Sequence, residues 1–168
     1  MSFMLNAQRS VDREGVISFF STAPLEDIRA ESAKAIGIID LETGEVAVSI
    51  PMSSFEFPKK LMQEHFNDNY IESEKYPRAT LVGSLVDWNK DDLNGTMDFD
   101  FMGELEIHGV KQPLSTVVQI SENGEILNVQ SKFNVRLEDH DIDIPTIVIE
   151  KIAEVVEVTA TFKFELNP

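Results

Sequence analysis

The feature that most constrains the fold of this chain is the alternation of apolar and polar residues along most of its length. Successive side chains of a β-strand point to opposite faces of the sheet, so an alternating segment has one apolar and one polar face. The segments 96–108 and 155–166 show the pattern most clearly. The apolar faces of these two segments carry Met97, Phe99, Phe101, Leu105, Ile107, Val158 and Phe162. A chain with this period folds mainly into strands.

Turn signals separate the alternating segments. Asn123-Gly124 predicts a tight hairpin, because both residues tolerate the positive φ that such turns require. Gly109 and Pro113 predict a break before the strand that follows them. With a ragged piece near 25–31 and the run 36–41 counted as separate strands, the sequence predicts about eight or nine strands. Strands joined by hairpins at this spacing predict an antiparallel sandwich or barrel.

One segment departs from the period of two and has helical spacing. Met62, Phe66 and Tyr70 recur every four residues, which places them on one side of a helix. Pro58 suits the first turn of a helix, where the N–H that proline lacks has no partner to lose. The sequence therefore predicts one amphipathic helix near 58–70, inserted into an otherwise mainly β fold.

Charge and composition exclude several classes of function. The chain has 14 basic and 30 acidic residues, a net charge of -16, which repels the phosphates of nucleic acids and of anionic membranes. It has no cysteine, so it forms no disulfide and binds no metal through thiolates. No stretch approaches the roughly 20 apolar residues that span a bilayer as a helix. We therefore predict no nucleic-acid partner and no integral membrane segment.

The 168 residues suit one domain, and no linker or repeat divides them. The predicted domain covers residues 10–168. Residues 1–9 are predicted to be an N-terminal extension or the remnant of a signal peptide, because the apolar stretch 3–5 and the small residues after it resemble the end of such a signal.

The sequence shows no motif for catalysis, for a metal or for a cofactor. His65, His108 and His140 are far apart along the chain, so a solvated or structural hydrogen-bonding role is favoured over a role as metal ligand or general base. The acidic segment 139–143 resembles the start of a calcium-binding loop, but Ile144 stands where that loop requires glycine. We predict no catalytic residue, no metal site and no cofactor.

Two blocks of sequence resemble the YceI-like family. The block 62–81 has a histidine on a helix and then a Tyr-Pro pair before a strand, and the block 103–113 has the order Gly-x-Leu-x-Ile-His-Gly-Val. The resemblance extends over roughly residues 10–166. The segment 137–145 departs from the Asn-Arg-x-Asp-Phe-Gly of many members, so the resemblance does not extend to the barrel mouth or to the head group of a ligand.

The resemblance implies an extended antiparallel eight-stranded β-barrel, lipocalin-like, that the helix partly covers. It implies non-enzymatic binding or transport of a long-chain apolar or amphipathic lipid, above all a polyisoprenoid of the quinone or prenyl-phosphate type, with the tail inside the barrel. Family members are typically secreted to the periplasm and often form homodimers. The resemblance therefore favours a periplasmic or secreted location and a homodimer, while a cytoplasmic location stays open.

The candidate ligand-binding residues are apolar side chains that line the predicted barrel or belong to the helix above it. These are Met62, Phe66, Met97, Phe99, Phe101, Leu105, Ile107, Phe133, Val135, Val158 and Phe162. Two alternatives stay open. A ligand-free stress-related or adaptor module requires that these side chains fill the interior completely. A hydrolase requires histidine and carboxylate side chains that converge inside the barrel.

Overall fold

Eight antiparallel strands form a closed barrel in the computed structural model, which describes residues 8–22, 27–143 and 155–167. Each strand pairs with its neighbours in the sequence, and the last strand pairs with the first. The predicted eight-stranded antiparallel barrel is thereby confirmed. The strands are β1 (Arg9–Ser21), β2 (Ile28–Asp40), β3 (Glu45–Pro51), β4 (Arg78–Leu85), β5 (Thr96–Ile107), β6 (Val110–Asn123), β7 (Ile126–Arg136) and β8 (Val155–Glu165).

Strand β5 shows how the alternation places side chains. Phe101 and Leu105 are buried, whereas Met102 is 62% exposed on the outer face. Phe101 lies opposite Leu85 of β4 and Thr116 of β6, so its ring packs beside inward-facing neighbours on both sides. The position of a residue in the pleat therefore decides burial here, since two large apolar residues next to each other in the sequence have opposite environments.

Strand β2 corrects the prediction of separate strands near 25–31 and over 36–41, because one long strand, Ile28–Asp40, continues from one into the other. Before the bulge the buried residues, Ala30 and Ser32, are at even-numbered positions. From Ala35 to residue 39 the buried residues are at odd-numbered positions. The ladder with β1 shifts its register at the same place, next to Gly15. Such a β-bulge inserts an extra residue, so one continuous strand looks like two in a pattern of period two.

Strand β6 begins at Val110, directly after the two-residue turn 108–109. The predicted break that extends to Pro113 is therefore wrong. From Val110 onward β6 pairs with β5, but it pairs with β7 only from Val118 onward. Proline has no N–H to donate, so a strand tolerates it where one side of the strand lacks a partner. The predicted hairpin is confirmed, but its two turn residues are Gly124, with a φ of 63°, and Glu125, because Asn123 still pairs with Ile126.

The predicted helix is confirmed, with a start at residue 60. Helix α1 (Lys60–His65) continues into a π-helical turn (Phe66–Tyr70). The Gln63 side-chain oxygen accepts a hydrogen bond of 3.1 Å from the backbone N–H of Phe57, which ties the helix to the segment before it. Phe66 is buried, so the helix covers one end of the barrel with an apolar side chain.

Side chains fill the half of the barrel that lies near the β2–β3 and β6–β7 turns, and we call it the packed half. Ile120 and Leu127 are 0% exposed there, and Phe164 is buried beside them. The indole N–H of Trp88 donates a hydrogen bond of 2.8 Å to the carbonyl oxygen of Leu41. This bond satisfies the polar atom of a large side chain that closes the end of the barrel.

Two glycines make room for an aromatic ring at the border of the packed half. A Cβ atom at Gly37 would lie 2.7 Å from Cδ1 of Phe162, and a Cβ atom at Gly15 would also overlap this ring. The Phe162 ring in turn stacks on Phe164, with ring centroids 5.9 Å apart. Glycine is therefore required on β1 and β2, because any side chain there would occupy the space of the Phe162 ring.

Candidate functional site

The other half of the barrel contains a cavity of about 190 Å³, and we call it the hollow half. Apolar side chains of β1 and of β3 to β8 form its wall, and Phe162 and Phe164 lie at the border with the packed half. None of the described lining residues is charged, and Thr80, Thr116 and Ser131 are the polar ones among them. Apolar cavities of this kind stay dry, and one of roughly 150 Å³ holds a benzene ring. The interior therefore suits an apolar guest.

Most of the candidate residues from the sequence lie around this cavity. The lining ones are Phe66, Phe101, Leu105, Ile107, Phe133, Val135, Val158 and Phe162. Three candidates are not among the lining residues. Met62 is half-buried on α1, Met97 packs against the core, and the Phe99 ring packs on Trp88 with centroids 5.2 Å apart. Met97 and Phe99 are placed in the packed half because they lie at the opposite end of β5 from Ile107.

Four phenylalanines gather at the end of the barrel under the helix, and we call them the aromatic cluster. Phe19 lies 5.0 Å from Phe55, 5.7 Å from Phe57 and 5.5 Å from Phe66, measured between ring centroids. All four rings are within the range of 4.5–7 Å that favours aromatic pairs. Phe19, Phe55 and Phe66 line the cavity, so the cluster forms its wall at this end.

The sequence candidates included only Phe66 from this cluster. Phe55 and Phe57 lie in the connection between β3 and α1, outside the strands whose alternation guided the selection. Their spacing of two residues around Glu56 was the available signal, because it places both rings on one side of an extended segment. Phe19 belongs to β1, where the bulge interrupts the alternation.

A set of hydrogen bonds joins three connections beside the cavity, and we call it the polar clamp: Glu72, His108 and His140. Nε2 of His108 lies 2.6 Å from a carboxylate oxygen of Glu72, and Nδ1 of His108 lies 3.1 Å from the carbonyl oxygen of His140. His140 is only 3% exposed, and its Nδ1 lies 3.0 Å from the carbonyl oxygen of Val110. The clamp therefore connects the turn after the helix, the β5–β6 turn and the segment after β7.

Both ring nitrogens of His108 face oxygen acceptors in this arrangement. Each ring nitrogen therefore already has a neighbour within hydrogen-bond distance inside the clamp. The three clamp residues are not among the lining residues of the cavity, although the adjacent Ile71 and Ile107 are. The structural hydrogen-bonding role favoured for His108 and His140 agrees with these contacts.

Lys75 lies beside the clamp, with its ammonium group 5.1 Å from the ring centroid of Tyr76. The pKa of Lys75 is raised above its ordinary value, first by a hydrogen bond with Tyr76 and then by the charges of Tyr76 and Glu72. An ordinary lysine is already protonated at neutral pH. The raised pKa therefore keeps a positive charge next to the clamp and introduces no titration near neutral pH.

Within residues 8–22, 27–143 and 155–167, no three or more His, Cys, Asp or Glu side chains are grouped as metal ligands would be. In the same part of the chain no helix has the length and the apolar character needed to cross a membrane. The acidic segment 139–143 lies within these residues, but Ile144 and the remainder of the calcium-like loop lie outside them.

A closed eight-stranded antiparallel barrel with an apolar interior cavity defines a lipocalin-like class of barrel, whose interior is wide enough for one small ligand. Residues 13–164 match the family model of the YceI-like domain. The chain therefore belongs to the YceI-like family, as its two sequence blocks predicted. No curated protein matches the chain in sequence.

Solved structures with the same fold come from several bacteria. A polyisoprenoid binding domain from Saccharophagus degradans, implicated in plant cell wall breakdown, has 18% identity and a TM-score of 0.81, over 95% of this chain and 98% of that chain. BcnA of Burkholderia cenocepacia has 16% identity and a TM-score of 0.74, over 91% and 98% of the two chains. The Campylobacter jejuni YceI protein has 14% identity and a TM-score of 0.62, over 79% and 80%. At these identities the likeness establishes the fold.

Proposed function

We propose that this protein binds an apolar, lipid-like ligand inside the barrel and does not act as an enzyme. The cavity in the hollow half carries this proposal. Native protein interiors are close-packed and contain few voids larger than a water molecule. An apolar guest in this space would remove its own surface from water and restore contacts that the cavity walls lack. Empty apolar space of this size therefore favours a binding role over a ligand-free module.

The chemistry of the cavity wall supports an uncharged hydrocarbon as the buried part of the ligand. Burying a charge without a partner is costly, and no described lining residue supplies one. We propose a polyisoprenoid, in agreement with the family resemblance and with the polyisoprenoid binding domain from Saccharophagus degradans. A cavity of about 190 Å³ holds only part of a long chain. A long tail therefore requires either that the aromatic cluster moves or that part of the tail stays outside.

The proposal of a non-enzymatic role has support from the polar clamp. In a hydrolase, a histidine needs a free nitrogen within reach of the substrate. Both nitrogens of His108 are engaged by Glu72 and His140, and these three residues do not line the cavity. Their hydrogen bonds join connections of the barrel, so a structural role accounts for them.

A substitution that fills the cavity tests the proposed function. Leu105→Trp adds volume at a cavity wall, so we expect it to change the free energy of unfolding by less than about 1 kcal/mol while it displaces an apolar ligand. Binding of the apolar dye N-phenylnaphthylamine would be measured by fluorescence. Lipids extracted from the purified protein would be identified by mass spectrometry.

The matched control is Glu106→Trp, because Glu106 is the next residue on β5 and lies on the outer face. We expect its dye binding, its extracted lipid and its stability to equal those of the parent protein. In a close-packed interior Leu105→Trp would instead cost roughly 1–3 kcal/mol. That cost, together with a parent protein that binds neither dye nor lipid, would overturn the proposal and favour a ligand-free module.

We also propose the location and the assembly that the family resemblance implies, a periplasmic or secreted protein that forms a homodimer. Fractionation of the source cells with an antibody against the protein tests the location, and recovery in the cytoplasm would contradict it. Sedimentation of the purified protein tests the assembly, and a monomer at all concentrations would contradict the dimer.

A further inference from the structure

The barrel wall of the hollow half is incomplete between β6 and β7. The ladder between these strands extends from the hairpin to Val118 and Ser131 and ends there. Both strands continue beyond this point, and there they stay paired on their other sides, β6 with β5 and β7 with β8. We call the stretch in which β6 and β7 form no ladder with each other, residues 112–117 of β6 and 132–136 of β7, the β6–β7 seam.

Side-chain hydrogen bonds hold the two ends of the seam, and between them the Thr116 hydroxyl donates to the carbonyl oxygen of Lys132 at 3.5 Å. At the inner end the Ser131 hydroxyl donates to the carbonyl oxygen of Val117 at 2.9 Å. At the outer end the Gln112 amide donates to the carbonyl oxygen of Asp139 at 2.8 Å, next to the polar clamp. Single side-chain bonds each contribute about 0.5–1.5 kcal/mol and can break one at a time. The seam can therefore open without the loss of a backbone ladder.

The inner face of the seam belongs to the cavity wall. Thr116 of β6 and Phe133 and Val135 of β7 border the seam and line the cavity. On the outer face, Val117 at the inner end of the seam is 50% exposed, beside exposed polar residues of both strands. An apolar molecule that passes between the strands would therefore reach the cavity wall directly.

A second short ladder in the barrel differs from the seam because backbone bonds cover it. Strands β2 and β3 pair only from residue 36 to residue 39 of β2. Beyond this point the backbone N–H of Glu31 donates to the carbonyl oxygen of Glu56 at 3.1 Å, and the N–H of Glu56 donates back to Glu31 at 2.9 Å. The β6–β7 seam has no such backbone bridge among the contacts of residues 112–117 and 132–136.

We propose that apolar ligands enter and leave the cavity sideways, through the β6–β7 seam, and not along the barrel axis past the aromatic cluster. This inference rests on the proposed function, because it concerns the route to the same cavity. The axial route requires that four packed phenylalanine rings separate. The lateral route requires only that the side-chain bonds at the seam open.

A reversible covalent lock tests the route. The chain has no cysteine, so Ser115→Cys with Asn134→Cys introduces the only two thiols. Both residues are exposed, and they would lie opposite each other if the register of the ladder continued across the seam. Oxidation to a disulfide, or bridging with dibromobimane, draws the strands together. The uptake and release of N-phenylnaphthylamine would be measured by stopped-flow fluorescence.

We expect the locked protein to take up and release the dye roughly tenfold or more slowly than the parent, the factor that corresponds to about 1.4 kcal/mol of additional opening cost. Reduction of the disulfide should restore the parent rates. The Kd should change little, since a lock on the route slows entry and exit equally. The matched control is Gln119→Cys with Gln130→Cys, a facing exposed pair inside the intact ladder, whose lock should leave both rates unchanged.

The outcomes separate the route from the binding itself. If the parent binds the dye and the seam-locked protein exchanges it at the parent rate, the seam proposal is wrong and the proposed function stands. Equal slowing by the control lock would also overturn the seam, since general stiffening would then explain the effect. If the parent binds no dye, the proposed function fails.

Discussion

The packed half and the hollow half of the barrel have the same alternation of apolar and polar residues but different interiors. At the border of the packed half, Gly15 and Gly37 leave room for the Phe162 ring, which stacks on Phe164. In the hollow half, the large rings gather at the end of the barrel around Phe19, and the space behind them stays empty. Apolar composition therefore does not decide whether the interior of a barrel is fully packed. The interior is packed where large rings lie against small neighbours.

The two halves also differ in the backbone pairing of their walls. In the packed half β6 and β7 form a continuous ladder from the hairpin to Val118 and Ser131. In the hollow half the two strands separate, and hydroxyl and amide side chains bridge them. The cavity and the β6–β7 seam thus lie in the same half, as expected of a region that admits a ligand.

The largest expected effect contrasts one phenylalanine from each half. Phe164→Ala removes a buried ring from the packed half, so we expect a loss of about 3–5 kcal/mol in the free energy of unfolding. Phe133→Ala removes a half-buried ring that already borders empty space, so we expect a loss of about 1 kcal/mol. Denaturant unfolding of both variants measures the difference. Equal losses would show that the hollow half is packed as tightly as the other.

An intermediate effect is expected at the border of the two halves. Gly37→Ala places a methyl group on the Phe162 ring, so we expect a cost of about 1–3 kcal/mol. In a background of Phe162→Leu the same change should cost less, because the ring that overlaps the new methyl group is gone. A double-mutant cycle measured by denaturant unfolding gives the coupling. Strict additivity would mean that the glycine does not serve to admit this ring.

The smallest effect is expected at the polar clamp of the hollow half. Glu72→Gln removes the charged partner of His108, so we expect a loss of about 1 kcal/mol, reduced by the partial exposure of Glu72 to solvent. Glu74→Gln is the control, because Glu74 is exposed nearby, and it should have no measurable effect. Thermal unfolding at neutral pH compares the two variants. A greater loss of stability for Glu74→Gln than for Glu72→Gln would show that the clamp does not stabilise the fold.

The sequence predicted most of the fold because period-two alternation and turn residues are local signals. Alternation on β5 and the turn signal near Gly124 were sufficient for the strand class and for one hairpin. Predictions were wrong where a distant partner decided the outcome. The β2 bulge depends on its pairing with β1, and Pro113 stays inside β6 because β7 is absent from one of its sides there.

On strands without a bulge, such as β5, the sequence by itself determined which side chains face inward, since that depends only on the pleat of the strand. Only the tertiary structure decided where these side chains meet and where they leave space. Met97 and Leu105 share one face of β5, but Met97 packs against the core and Leu105 borders the cavity. The physical reason is that a cavity depends on the volumes that other strands bring to the same place, and strand periodicity carries no information about those neighbours.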